Sequence, residues 1–142
     1  KKNNIILGNL DAKRDWGHAR EYAEMQWKIL QYKNPEDFVI STGKSYSIKQ
    51  FIELSFKLVG IDLIWKGKGL KEVGIIKKIN NHKIKKLKIN QVVIKVDKKY
   101  YRPSEVDFLK GDSSKAKKLL KWTPKISFIN LVKDMIKHDV KI

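Results

Sequence analysis

Ile5-Ile6-Leu7-Gly8-Asn9 opens the chain's first recognisable element, and the residues after it decide the fold class. The apolar run broken by Gly-Asn predicts a strand end and a turn. Asp15 then precedes Ala19, Tyr22, Ala23, Gln26, Trp27 and Leu30, which recur at helical spacing with charge on the opposite face. Asp15 is the expected N-cap, and the helix should end before Asn34-Pro35. Phe38-Val39-Ile40-Ser41-Thr42, closed by Gly43, has consecutive rather than alternating apolar residues, which predicts a strand covered on both faces.

Working outward, Ser47-Ile48-Lys49-Gln50 has the form of a capping box, and Phe51, Leu54, Ser55 and Leu58 continue one helical face to Gly60. Ile61 to Trp65 is a further strand candidate. Lys66-Gly67-Lys68-Gly69 begins a basic stretch to about Gln91, expected to be mostly exposed loop, and Gln91 to Val96 reads as a strand. Asp112 should cap a helix over Ser113 to Lys121 with Ala116, Leu119 and Leu120 inward, ended by Trp122 and Pro124. Ser127 should cap the last helix, whose Leu131, Val132, Met135 and Ile136 form a buried stripe. Strands alternating with helices argue an α/β class. No phosphate-cradling glycine-rich loop follows the first strand, since Gly67-Lys68-Gly69 sits among lysines.

Composition narrows the function. The chain has 142 residues, enough for one domain and little more, and no Cys, which excludes a disulfide framework, a thiolate zinc site and a cysteine nucleophile. Apolar residues make up 42%, too many for a disordered chain, yet no run reaches the roughly 20 apolar residues of a membrane span. The opening Lys1-Lys2-Asn3-Asn4, without Met, reads as the start of a piece of a longer protein in a soluble, cytoplasmic setting. The net charge of +17 comes from 32 Lys and Arg against 15 acids, but only Arg14, Arg20 and Arg102 are Arg. Base-reading surfaces rely on the bidentate guanidinium, so the excess reads first as a lysine-rich solvated surface and a nucleic-acid partner is disfavoured. Lys77 to Lys88, with six Lys, keeps a small polyanion-binding module open as an alternative function.

Three segments carry chemistry. Gly8-Asn9-Leu10-Asp11-Ala12-Lys13-Arg14-Asp15-Trp16-Gly17-His18-Ala19 joins a turn, two adjacent cations and a helix N-terminus. Tyr100-Tyr101-Arg102-Pro103-Ser104-Glu105-Val106-Asp107 places an arginine before proline, where the backbone is held extended. Gly111-Asp112-Ser113-Ser114-Lys115-Ala116-Lys117 precedes an aromatic-proline stop. A pyrophosphate is met best by cations from different elements, and Arg supplies paired donors to its oxygens. Two of the three Arg fall at these positions. His18 has no carboxylate and nucleophile beside it in sequence and reads as a surface or packing residue; Trp16, Trp27, Trp65 and Trp122 read as core or cap aromatics.

Together these segments, with Trp65-Lys66-Gly67-Lys68-Gly69 and Glu72-Val73-Gly74, resemble the GDP-mannose 4,6-dehydratase family of extended short-chain dehydrogenases/reductases, over nearly the whole chain. The resemblance implies the C-terminal part of such an enzyme: a substrate-binding subdomain plus one or two strands and a helix of the Rossmann sheet, with the Rossmann core absent. It divides the chain into residues 1–43, a strand–helix–strand segment that would pack on the Rossmann domain, and residues 44–142, a nucleotide-sugar-binding subdomain with the basic loop at about 66–91. It implies NADP as cofactor, bound outside this chain, GDP-mannose as substrate, an N-terminal Rossmann half as partner, and a homo-oligomer when complete. No catalytic or metal-binding residue is implied here, and the chain alone should be inactive. Arg14 and Arg102 should hold the diphosphate, and Glu105 should place Arg102 or a polar group of the nucleoside. Lys49 stands within Ser-Ile-Lys-Gln-Phe where the family usually has Arg, so it keeps the charge and loses the fork.

Overall fold

A computed structural model describes residues 4–102 and 106–140. The elements run β1 (Ile5–Leu7), β2 (Lys13–Asp15), α1 (Ala19–Leu30), β3 (Ser45–Ser47), α2 (Ile48–Leu58), β4 (Ile61–Lys66), β5 (Val73–Ile79), β6 (Val92–Val96), α3 (Ser114–Leu120) and α4 (Phe128–Asp139). Single 3-10 turns lie at Gly69–Lys71 and Lys98–Tyr100. The chain is mixed α/β and forms two compact units: residues up to Ala12 with Ser47–Asp107, and Lys13–Tyr46 with the residues from Phe108 onward.

The first unit is built on a four-stranded sheet in the order β1-β6-β5-β4. β1 runs parallel to β6, with Ile5 opposite Ile94 and Leu7 opposite Val96, while β5 is antiparallel to both β6 and β4. α2 covers the sheet, and Leu10, Ile52, Ile61, Ile76, Val93 and Ile94 form the core beneath it. Ser47 caps α2 as expected: its hydroxyl accepts from the Gln50 N–H while the Gln50 side chain accepts from the Ser47 N–H. The basic stretch departs from expectation, because Val73–Ile79 is an interior strand rather than loop. Gly74 and Ile76 alternate inward there, a period-2 signal too short to stand out among lysines. Residues 80–91 are largely irregular, with Ile84 and Leu87 packed against the core.

The second unit gathers Met25, Ala116 and Trp122, with Tyr22, Ile29, Phe38, Ile40 and Leu120 against them. β2 and β3 form a two-stranded ladder. The N-cap of α1 is His18, whose Nδ1 accepts from the Arg20 N–H, and not Asp15. The buried face of α1 is Glu21 and Met25, turned away from the expected stripe: Trp27 is 62% exposed and Leu30 is 80% exposed. Phe38-Val39-Ile40-Ser41-Thr42 joins no ladder; it is an irregular segment that packs Phe38 and Ile40 inward. In α3 Ser113 is the N-cap, and the Asp112 carboxylate accepts from the Ser114 N–H and hydroxyl. Ser127 caps α4, which buries Phe128, Leu131 and Val132 but leaves Met135 exposed.

Candidate functional site

In the first unit, the loop Gly8–Ala12 leaving β1 is clamped on two sides. Toward α2, the Leu10 carbonyl accepts from the Lys49 N–H (2.9 Å) and the Ala12 carbonyl from the Ile48 N–H (3.2 Å). On the other side stands the segment carrying Arg102. A Cβ at Gly8 would lie 2.1 Å from the Tyr100 carbonyl oxygen, so only glycine lets that backbone approach. Asn9 Nδ2 donates to Asp107 Oδ1 (3.3 Å), and Asn9 Oδ1 accepts from the Asp11 N–H. One short loop thus holds both the first turn of α2 and the two flanks of the Arg102 segment. Arg102 is exposed and forms no ion pair with any described residue. Glu105 lies outside the described residues.

Lys49 occupies the first turn of α2. A cation there meets the positive end of the helix dipole, a penalty of about 0.3–1 kcal/mol. The fold offsets it with two groups. Lys49 Nζ donates to Glu72 Oε1 at 2.6 Å, and it lies 4.8 Å from the centroid of the Trp65 ring. Glu72 is buried, at 5% exposure. Trp65 is fixed in turn, since its Nε1 donates to Glu53 Oε1 at 2.6 Å from one turn further along α2. Gly74 faces Trp65 across the β4–β5 ladder and has no side chain to displace the ring. The backbone donors of this turn are taken by Leu10, Ala12 and Ser47, which leaves the Lys49 ammonium as the group able to meet an anion.

In the second unit, Arg14 lies on β2, half-buried, and its Nη1 donates to its neighbour's carbonyl, Lys13 O, at 2.8 Å. Asp15 beside it orders the surroundings: its carboxylate accepts from the Thr42 N–H and hydroxyl, the Gly43 N–H and the Gly111 N–H. Trp16 Nε1 donates to the Tyr46 carbonyl, and Tyr46 stacks on Phe128 with centroids 4.0 Å apart. These aromatics, with Lys44 and Lys125, line a cavity of about 210 Å³. His18 caps α1 and pairs through Nε2 with Asp134 (3.2 Å). The His18 hydrogen bond and the nearby cations hold the Asp134 carboxyl below the usual range.

Of the expected site residues, Lys49 and Arg102 share one unit and hang from the same loop, and Arg14 belongs to the other unit. Glu72 and Trp65 were not among the expected ligand-facing residues; the available signal was a lysine in a helix's first turn, which asks for a compensating acid. The described residues do not fit a dinucleotide. β1 leads into the Gly8–Ala12 loop, whose carbonyls are spent on α2, and not through a glycine-rich turn into a helix N-terminus.

The GDP-mannose 4,6-dehydratase family profile matches residues 1–135. GDP-mannose 4,6-dehydratase of Vibrio cholerae is 48% identical over 138 residues, covering 97% of this chain and 37% of that protein. The Homo sapiens enzyme of the same name is 48% identical over 136 residues, covering 96% and 34%. The chain therefore spans about a third of the length of the curated relatives it matches. Among solved structures, RMD from Pseudomonas aeruginosa complexed with NADPH superposes with a TM-score of 0.65 at 14% identity, covering 96% of this chain and 36% of that one. UDP-glucose 4-epimerase from Bifidobacterium longum gives 0.63 at 14% identity, covering 97% and 36%. At such identities the likeness is one of fold.

Proposed function

The chain belongs to the GDP-mannose 4,6-dehydratase family, and from that premise we propose that it is the nucleotide-sugar-binding portion of such an enzyme. The whole reaction converts GDP-mannose to GDP-4-keto-6-deoxymannose and water with NADP as the resident hydride carrier. On this reading the chain grips the substrate, a cofactor-binding N-terminal half supplies the chemistry, and the chain alone turns nothing over. Arg102 and Lys49 meet the anionic groups, with Glu105 orienting Arg102 or the nucleoside. Arg14 is assigned a diphosphate contact from its motif and residue type.

The single observation that supports the reading best is the Gly8–Ala12 loop, which anchors the Lys49 turn and both flanks of an exposed Arg102. The open apolar stripe on α1, with Trp27 and Leu30, supports a Rossmann half as its partner, and a homo-oligomer belongs to the same proposal. No described helix is long and apolar enough to cross a membrane.

Titration calorimetry of the purified chain tests this. Saturable GDP-mannose binding is expected, weakened at least about tenfold by Arg102→Ala, the scale of one lost charge-assisted contact. A folded chain that ignores GDP-mannose sinks the proposal, and turnover of GDP-mannose with NADP and no partner sinks the claim that the chain is inactive alone. The exposed Lys77, Lys78, Lys83, Lys85, Lys86 and Lys88 carry the alternative. Salt-steep RNA binding lost on neutralising them would favour a polyanion module instead.

A further inference from the structure

We infer that Glu72 is a positioning residue: with Trp65 it fixes the Lys49 ammonium in the direction from which an anionic oxygen of the nucleotide sugar is met. The inference rests on the reading of Lys49 as a ligand contact and adds how a flexible lysine performs it. A lysine ends a four-carbon stem with three freely rotating donors, and it lacks the planar fork that orients an arginine. Its direction must therefore come from neighbours.

Here three groups supply it. The Glu72 carboxylate takes one ammonium donor at 2.6 Å, the Trp65 face carries the charge, and Glu53 pins the indole edge. The Lys49 side chain retains 28% exposure against 7% for Glu72, so the buried carboxylate holds from behind while the ammonium keeps an open side. A pair serving stability alone is poorly placed. It puts a cation at the positive end of α2 and a carboxylate in the interior, where apolar side chains of similar volume would serve folding as well. With the turn's backbone donors already consumed by Leu10, Ala12 and Ser47, the oriented ammonium is the element of this turn that a ligand can use.

Two readouts on the full chain test this. In proton NMR, the Lys49 ε-methylene signal should lie upfield in the wild type through the Trp65 ring current. It should move toward the free-lysine position in Glu72→Gln and stay in place in Arg102→Ala. Glu72→Asp, which keeps the charge but withdraws it by one methylene, is the second variant if Glu72→Gln fails to fold, and it should move the same signal. In GDP-mannose titrations, Glu72→Gln should raise Kd about tenfold where Lys49 is present and less than about twofold in a Lys49→Met background. An unmoved Lys49 signal overturns the inference. So does an equal loss of affinity with and without Lys49, which would make Glu72 merely structural. If the signal moves but the wild type binds no GDP-mannose, the nucleotide-sugar reading fails and the ligand half of this inference fails with it.

Discussion

Tyr22 shows how one side chain's surroundings set a measurable property. A Cβ on Gly17 would stand 2.1 Å from the Tyr22 hydroxyl, so the glycine leaves the space the phenol fills. Burial first, then the Asp15 and Glu21 carboxylates, push the phenol above its ordinary value. The folded state thus favours the neutral phenol. The resulting stability is fully present below the unfolded value near pH 10 and is lost as pH rises through the raised folded value. Thermal melts from about pH 9 to about pH 11 should show the wild-type midpoint falling more steeply than that of Tyr22→Phe. Parallel curves would remove this role. Glu21 serves the same unit differently, its Oε1 accepting from the Lys125 and Ile126 N–H groups that follow Pro124. The glutamate was legible as part of an amphipathic helix; its burial was not, because partners 104 and 105 positions away decide it.

Among the elements, β2 depends on Asp15 for more than its ladder. The carboxylate gathers Thr42, Gly43 and Gly111, segments 27 to 96 positions away. Asp15→Ala would leave these donors without an acceptor, and a loss of about 2–4 kcal/mol is expected in urea unfolding. Asp15→Asn, which keeps one acceptor, should recover part of it; equal stability of Asp15→Ala and wild type would refute the role. A short acid just before an amphipathic run is a sound N-cap signal, yet His18 takes that place because Asp15 is already engaged. The same carboxylate accepts from the N–H of Thr42, so the end of Phe38–Thr42 is satisfied by a side chain and not by a strand partner. β5 differs in the opposite way: its backbone is paired on both sides, while Lys77 and Lys78 inside the strand mask its apolar alternation in the sequence.

For the whole molecule, the open face of α1 has the widest consequence. Ala19, Ala23, Trp27 and Leu30 are exposed along one side of the helix. A contiguous apolar stripe of this kind drives association in water. Sedimentation at rising concentration should show the wild-type chain self-associating and the Trp27→Lys/Leu30→Glu double variant staying monomeric with unchanged helix content. A wild-type chain that remains monomeric throughout would remove the stripe's role. The +17 charge works against this association at low salt, so raising the salt should strengthen it.

By itself, the order of residues determined what neighbours within a few positions control. The caps at Ser47 and Ser127, the strands at Ile5–Leu7, Ile61–Lys66 and Val92–Val96, and the motifs that carry the family likeness all belong there. Only tertiary structure decided which face of α1 is buried, that Val73–Ile79 is an interior strand, and that Lys49 meets Glu72 from 23 positions away. The reason is one of range. Caps and turns satisfy backbone groups locally, whereas burial and ion pairing depend on which distant segment the folded chain brings alongside.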